Sequence, residues 1–146
     1  MRAFYLRLAV LCSVLFLSAC GAVNIQEAMT GAKSVSSVSV AMDYQSAFQK
    51  ALVSEYATSP YAKSALFPKD NKAYIWFGGE RSVYAVIEFT RIDLETTKVT
   101  FYEYGGLWHN RLEGIRNLLT TSSMCYEDCL NAQHSFGFCK QACYPE

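Results

Sequence analysis

The amino-acid sequence predicts an α+β domain in which two helices flank an antiparallel sheet of three to four strands. One apolar stripe with helical period follows Asp43, and a second begins at Leu107. Between them lie short aromatic and β-branched runs, two of which are followed by paired glycines, a pattern typical of antiparallel strands joined by turns. This order favours a two-layer domain with the helices on one face of the sheet. A C-terminal segment with four cysteines adds a helical hairpin stapled by disulfides.

The first predicted helix begins after Asp43, whose carboxylate suits the N-cap position. Apolar side chains then recur at spacings of three and four, which places them on one helix face. They are Tyr44, Ala47, Phe48, Ala51, Leu52 and Tyr56. Residues 58–60, Thr-Ser-Pro, are expected to end the helix. The stripe is expected to cover one face of the sheet, and the alternative is a helix that binds a partner.

Three strands are predicted at residues 73–77, 83–92 and 99–104, with residues 64–67 as a candidate fourth. Because side chains alternate between the two faces of a strand, the pattern also assigns the core face. The apolar set expected in the core is Ile75, Phe77, Val83, Ala85, Ile87, Phe89, Val99 and Phe101.

The opposite face of the predicted sheet is aromatic. It carries Tyr74, Trp76, Tyr84, Tyr102 and Tyr104. Trp76 is expected opposite Tyr84, and Tyr74, Val86 and Tyr104 are expected to form one row across the strands. Tyr and Trp combine an apolar body with a polar tip, which suits them to interfaces. This face is therefore a candidate interaction surface, unless the C-terminal hairpin or the N-terminal linker covers it.

The second predicted helix spans residues 107–119. Trp108, Leu112, Ile115 and Leu119 follow one another at spacings of four, three and four, so they share one face. Gly114 lies inside this helix and weakens it by about 1 kcal/mol relative to Ala.

Four of the six cysteines form two C-x3-C pairs, Cys125 with Cys129 and Cys139 with Cys143. A spacing of four puts each pair on one helix face, so two facing helices can be linked by nested bridges, Cys125–Cys143 and Cys129–Cys139. Three connectivities remain open from the sequence, and a four-cysteine zinc site is the rival. The spacing resembles the disulfide-stapled hairpins of small mitochondrial intermembrane-space chaperones, and the resemblance covers only this geometry.

The N-terminus has the character of an export signal. Arg2 and Arg7 precede an apolar stretch at residues 8–19, which is shorter than the roughly 20 residues that a spanning helix needs. Residues 17–20, Leu-Ser-Ala-Cys, resemble the lipobox of bacterial lipoproteins. The resemblance implies that residues 1–19 are a removed signal peptide, Cys12 included. It also implies that Cys20 carries a diacylglyceryl thioether and an N-acyl chain such as palmitate.

The same resemblance predicts a subcellular location. Gly21 stands where Asp would retain a proteobacterial lipoprotein in the inner membrane, so we expect an outer-membrane anchor on the periplasmic side. An exported, oxidising compartment favours disulfides over zinc at the C-terminal cysteines. Residues 20–42 are expected to be a flexible tether, because residues 31–40 are small and serine-rich. A weak edge strand within them is the alternative. Residues 43–119 then form the α+β domain, and residues 120–146 the hairpin.

Charge and motifs limit the function classes. Without the leader, 11 basic residues face 13 acidic ones, which disfavours nucleic acid as a partner and disfavours electrostatic capture of anionic lipid by the net charge. His109 and His134 belong to no recognisable metal or nucleophile motif, and Glu88 and Glu103 are expected on opposite sheet faces. The sequence therefore indicates no catalytic residues, no metal and no cofactor.

The function that the sequence favours is that of a non-enzymatic, membrane-anchored envelope lipoprotein. It is expected to bind an envelope protein and to serve in protein interaction or in envelope assembly and maintenance. A periplasmic hydrolase or a peptidoglycan-binding module is the alternative.

Overall fold

A computed structural model describes residues 24–79 and 81–143, and it contains one antiparallel sheet. Its strands are β1 (Ser34–Val40), β2 (Ala62–Phe67), β3 (Lys72–Gly79), β4 (Ser82–Arg91) and β5 (Thr97–Glu103). Their order across the sheet is β1-β5-β4-β3-β2. The predicted meander β3-β4-β5 forms the centre, and the edges are β2, which includes the candidate fourth strand, and β1.

Four helices accompany the sheet in the described part of the chain. They are α1 (Ile25–Thr30), α2 (Tyr44–Leu52), α3 (His109–Asn131) and α4 (Phe136–Cys143). Asp43 caps α2 as predicted, because its carboxylate accepts the backbone N–H of Gln45 at 3.1 Å and of Ser46 at 3.0 Å. The helix ends at Leu52, so Tyr56 follows it in a turn.

The main core lies between the sheet and the pair α2 and α3. We call the sheet face that they cover the inner face, and the opposite one the outer face. Phe48 of α2 meets Phe89 of β4 edge to face at 5.8 Å, and Trp108 stacks on Phe77 of β3 at 5.0 Å. Leu112, Ile115 and Leu119 of α3 are buried in the same core. The predicted α+β class is confirmed, and so are the apolar stripes within Tyr44–Leu52 and from Leu112 to Leu119. Tyr56 and Trp108 pack against the core from outside the helices, and the predicted end of the first helix at residues 58–60 was wrong.

One residue of the predicted core lies on the other face. Phe77 pairs with Ala85, but Gly78 pairs with Val83, so Tyr84 is an extra residue in β4. Such a bulge reverses the alternation of side chains beyond it. Val83 consequently packs on the outer face with Val86, and its assignment to the inner core was wrong.

The segment predicted as a tether is mostly folded. Residues 25–30 form α1, capped by Asn24, and β1 pairs with β5 over its whole length. The edge-strand alternative therefore describes residues 34–40, and the tether prediction was wrong for them. β5, the pairing partner of β1, lies about 60 residues further along the chain. The hydrogen bonds between the two strands join backbone groups, so the serine side chains that suggested a flexible coil do not prevent the pairing.

The predicted boundary at residue 119 falls inside one helix. α3 begins at His109 and continues to Asn131, so the same helix belongs to the α+β domain and forms the first arm of the hairpin. Ser122 and Ser123 are buried in it. Their hydroxyls have partners, since Ser122 donates to the carbonyl of Leu118 at 2.8 Å and Ser123 accepts the N–H of Ala41 at 2.6 Å. These contacts let a polar stretch without an apolar period remain helical and buried.

Nested disulfides join α3 to α4, as the spacing predicted. Cys125–Cys143 has an S–S length of 2.00 Å and Cys129–Cys139 one of 2.06 Å. The turn between the helices uses positive φ at Gln133, at 62°. Gly137 lies within α4 and takes no part in this turn. The Cys139 and Cys143 side chains are buried with Tyr126 in a small cluster of their own.

Candidate functional site

The outer face of the sheet carries most of the predicted aromatic surface, in a different register. Tyr74, Trp76, Tyr102 and Tyr104 pack around Val83 and Val86, and Tyr84 is the bulge residue. Trp76 lies opposite Val86 rather than Tyr84, and Val86 lies opposite Tyr102 rather than Tyr104. The predicted pairs and the predicted row were therefore wrong by two residues. Turn lengths and the bulge set the register, and neither was visible in the strand pattern.

Helix α1 covers part of this aromatic surface. Ile25, Ala28 and Met29 pack against the cluster on the outer face, and Ala28 is buried. Gly31 ends the helix so close to the sheet that a Cβ there would lie 2.9 Å from Cε2 of Tyr104. All five predicted aromatics are consequently half-buried. The N-terminal segment therefore covers part of the aromatic face by packing on it. The aromatic side chains are only partly buried, so part of their surface still faces solvent.

A buried carboxylate lies on the outer face between two of these tyrosines. Glu88 of β4 is only 8 % exposed. Its Oε1 accepts the ammonium of Lys72 at 2.7 Å and the hydroxyl of Tyr74 at 3.1 Å, and its Oε2 accepts the hydroxyl of Tyr102 at 3.0 Å. Three donors on the two neighbouring strands therefore satisfy one carboxylate, which a buried charge requires.

The partners of Glu88 determine its ionisation. Burial by itself would raise the pKa of this carboxyl. Hydrogen bonds from Lys72, Tyr102 and Tyr74, with the positive charge of Lys72, outweigh burial and lower the pKa of Glu88 below its ordinary value. Burial and the adjacent carboxylate raise the pKa of both tyrosines. Glu88 is therefore an anion held by neutral tyrosines and one ammonium group.

This cluster was not predicted, although the sequence carries a signal for it. Glu88 is the one acidic residue in the apolar and aromatic run at residues 82–90. A lone carboxylate in a strand buried on both faces needs donors from adjacent strands. Which donors those are depends on the register, which places Tyr74 directly opposite Glu88 and Tyr102 on the next strand. Glu88 is paired with Thr100, so these two side chains share the outer face. Glu103 lies three residues further along β5, and because side chains alternate along a strand, it belongs to the inner face. The two acids are therefore on opposite faces, as predicted.

A second feature, which the sequence did not predict, is a groove in the helical layer. It runs between α2 and α3 under the β4–β5 loop, with a volume of about 1090 Å³. Tyr56 and Gly114 lie along it, where the missing side chain of Gly114 leaves room for the tyrosine ring. Val53 and Leu94 line it while 76 % and 74 % exposed. Apolar side chains so open to solvent are typical of binding surfaces when they border a concave site.

The groove has an acidic rim. Asp43, Glu55 and Glu95 line it, together with one lysine, Lys50. Burial lowers the pKa of Lys50. Three carboxylates around an apolar surface disfavour an anionic ligand and favour a partner that places basic residues beside an apolar side chain.

The histidines show one contact that was not predicted. Nδ1 of His109 lies 3.1 Å from Oε2 of Glu103, and the imidazole is largely exposed. The rings of His134 and Phe138 contact each other in a tilted arrangement in the hairpin, with ring centres 5.0 Å apart. Within residues 24–79 and 81–143, no three His, Cys, Asp or Glu side chains gather as a metal site would require.

Comparison with known proteins adds no family. No protein-family model, curated protein or solved structure matches the chain. In the described residues, no helix is long and apolar enough to cross a bilayer. Cys20, the predicted lipidation site, and the leader at residues 1–19 lie outside the described residues.

Proposed function

We propose that this protein is a lipid-anchored envelope lipoprotein that binds a partner protein through the groove between α2 and α3. The Leu-Ser-Ala-Cys order at residues 17–20 supports the anchor, and Gly21 supports the periplasmic side of the outer membrane as its location. Two acyl chains or more give stable attachment, whereas one gives only marginal binding. The protein would act there without catalysis, in envelope assembly or maintenance.

The groove is the observation that carries the binding role. It combines two strongly exposed apolar side chains, Val53 and Leu94, with the acidic rim formed by Asp43, Glu55 and Glu95. An apolar anchor inserted into a concave site typically supplies most of the affinity of a protein interface, while rim charges orient the partner. The partner expected is a segment with an apolar side chain flanked by Lys or Arg.

Site-specific photo-crosslinking in intact envelopes tests this role. A photoreactive amino acid at Leu94 samples the groove, and one at Leu107 serves as the control. Leu107 is also a leucine and is 89 % exposed, but it lies outside the groove. We expect a discrete protein product from position 94 that is absent from position 107, and a Glu55→Lys, Glu95→Lys variant should weaken it.

Other results would contradict the proposal. Products at both positions would indicate random collisions, and no product at position 94 would argue against the groove. Retention on isolated cell wall without any protein product would instead favour a peptidoglycan-binding module.

The anchor has its own test. Cys20→Ala should release the protein from sedimented membranes, because the thioether can no longer form. If the variant still pellets with membranes after a high-salt wash, the lipoprotein assignment fails. The disulfide hairpin should be intact in both forms, and non-reducing mass spectrometry checks this.

A further inference from the structure

The structure shortens the link between the anchor and the domain. The sequence predicted a tether of residues 20–42, but α1 is capped by Asn24, four residues after Cys20. A fully extended chain spans at most about 3.3–3.6 Å per residue, so these two Cα atoms lie within roughly 14 Å of each other. α1 packs on the outer face of the sheet. A lipid on Cys20 would therefore hold that face near the membrane surface.

The chemistry of the outer side suits such a position. Lys63 is opposite Trp76 and Lys98 is opposite Thr90, so both lysines belong to the outer face, and both are exposed. Phe67 on β2 and Val35 on β1 add apolar edges that are 44 % and 56 % exposed. Basic side chains are attracted to anionic lipids, and aromatic ones favour the headgroup region.

The charge balance differs between the two sides of the domain. Among the paired strand residues that the structure describes, three lysines and one acid belong to the outer face: Lys63, Lys72, Lys98 and Glu88. Helix α1, which packs on this face, adds Glu27. Glu88 is buried and paired with Lys72. The groove on the helical side has the reverse balance, with three carboxylates and one lysine. An anionic surface would attract the outer side and repel the groove side.

We propose that the outer face of the sheet docks on the anionic lipid surface of the membrane that holds the anchor. This orientation rests on the lipid anchor of the proposed function. It turns the groove between α2 and α3 away from the membrane, where a periplasmic partner can reach it.

The two tryptophans of the chain report the orientation, because they lie on opposite sides of the sheet. Trp76 belongs to the outer cluster, and Trp108 stacks on Phe77 of the inner face. The acylated full chain is reconstituted in vesicles of phosphatidylethanolamine and phosphatidylglycerol that contain a nitroxide-headgroup lipid. Trp108→Phe leaves Trp76 as the fluorophore, and Trp76→Phe leaves Trp108. We expect the nitroxide to quench Trp76 more strongly than Trp108, and equal or reversed quenching would overturn the proposal.

A matched pair of variants tests the charges. Lys63→Gln with Lys98→Gln and Asn117→Glu with Thr121→Glu change the net charge equally, but the second pair lies on α3 beside the groove. The first pair should reduce the quenching of Trp76 and the second should not. Equal effects would exclude a specific outer-face contact.

Lysine labelling provides a readout on the unsubstituted protein. Lys63 and Lys98 should react more slowly with a water-soluble acylating reagent on vesicles than in detergent, as mass spectrometry measures. Unchanged reactivity, with the protein still sedimenting through Cys20, overturns the docking alone. Sedimentation that does not depend on Cys20 overturns the anchor as well.

Discussion

Gly114 tests whether tertiary packing outweighs helix propensity in α3. In an exposed helix, replacing Gly by Ala stabilises by about 1 kcal/mol. At this site an added Cβ would lie 2.7 Å from Cγ of Tyr56, whereas two carbons pack best at about 3.5–4.0 Å. The close contact includes Cγ, the ring atom nearest the backbone, so relief requires a new χ1 rotamer of Tyr56 or a backbone shift. Arg111 restrains that backbone through a hydrogen bond to the Tyr56 carbonyl at 2.9 Å. Inserting a methyl group into such a packed contact costs about 1–3 kcal/mol.

We therefore expect Gly114→Ala to lower the free energy of unfolding by up to about 2 kcal/mol, as overpacking exceeds the propensity gain. Urea unfolding measures the change. In a Tyr56→Ala background the same substitution should stabilise, because the obstructing ring is gone. Asn117→Ala, at an exposed position of the same helix, controls for propensity. Stabilisation by about 1 kcal/mol with Tyr56 intact would refute the packing argument.

Three further predictions concern buried groups. The pKa of Glu88 is lower in the folded chain than its ordinary value of 4.5, so its stabilisation is present above that pH and is lost as the pH falls through the folded pKa. Glu88→Gln should flatten the acid side of a melting-temperature profile against pH, and an unchanged slope would contradict the cluster. Cys129→Ser with Cys139→Ser opens a bridge with a sequence separation of 10, which the chain-entropy model values at somewhat under 3 kcal/mol. Hydrogen exchange in α4 should accelerate accordingly, and unchanged protection would show that the outer bridge suffices. The hydroxyl of Thr97, fully buried, donates to the carbonyl of Met42 at 2.8 Å. Thr97→Val should therefore cost about 1–3 kcal/mol while Thr97→Ser costs less, and equal losses would assign the effect to packing.

Local patterns were sufficient to predict the central elements. The cap at Asp43 and the apolar spacing that follows it depend only on neighbouring residues, and both reappear in α2. The run at residues 83–92 is apolar and β-branched enough to form a central strand, and it matches β4 (Ser82–Arg91) to within one residue at each end. The two C-x3-C pairs predicted nested bridges because a spacing of four already fixes which side chains share a helix face.

Features that depend on distant partners could not be predicted in the same way. β1 contains four serines and pairs with β5 through its backbone, so its own side chains say little about it. Its Ser36 hydroxyl also accepts a hydrogen bond from Arg116 of α3. The groove is formed by two helices and a loop that are far apart in the sequence, and no local signal identifies it. Glu88 was visible as an isolated acid, but its three donors were not.

The sequence by itself determined the class of the domain, the helix face that each cysteine pair shares and an expected lipid anchor at Cys20, because these follow from spacings within short segments. Only the tertiary structure decided the sheet register, the groove, the disulfide pairing and the folding of residues 25–40. Each of these depends on contacts between residues in different elements of the fold. The clearest case is the stretch predicted as a tether, which α1 and β1 tie to the sheet through Ala28 and the ladder with β5. The composition of this segment alone favours a coil. It is ordered because one apolar face of α1 is buried and because seven residues of β1 are paired with β5.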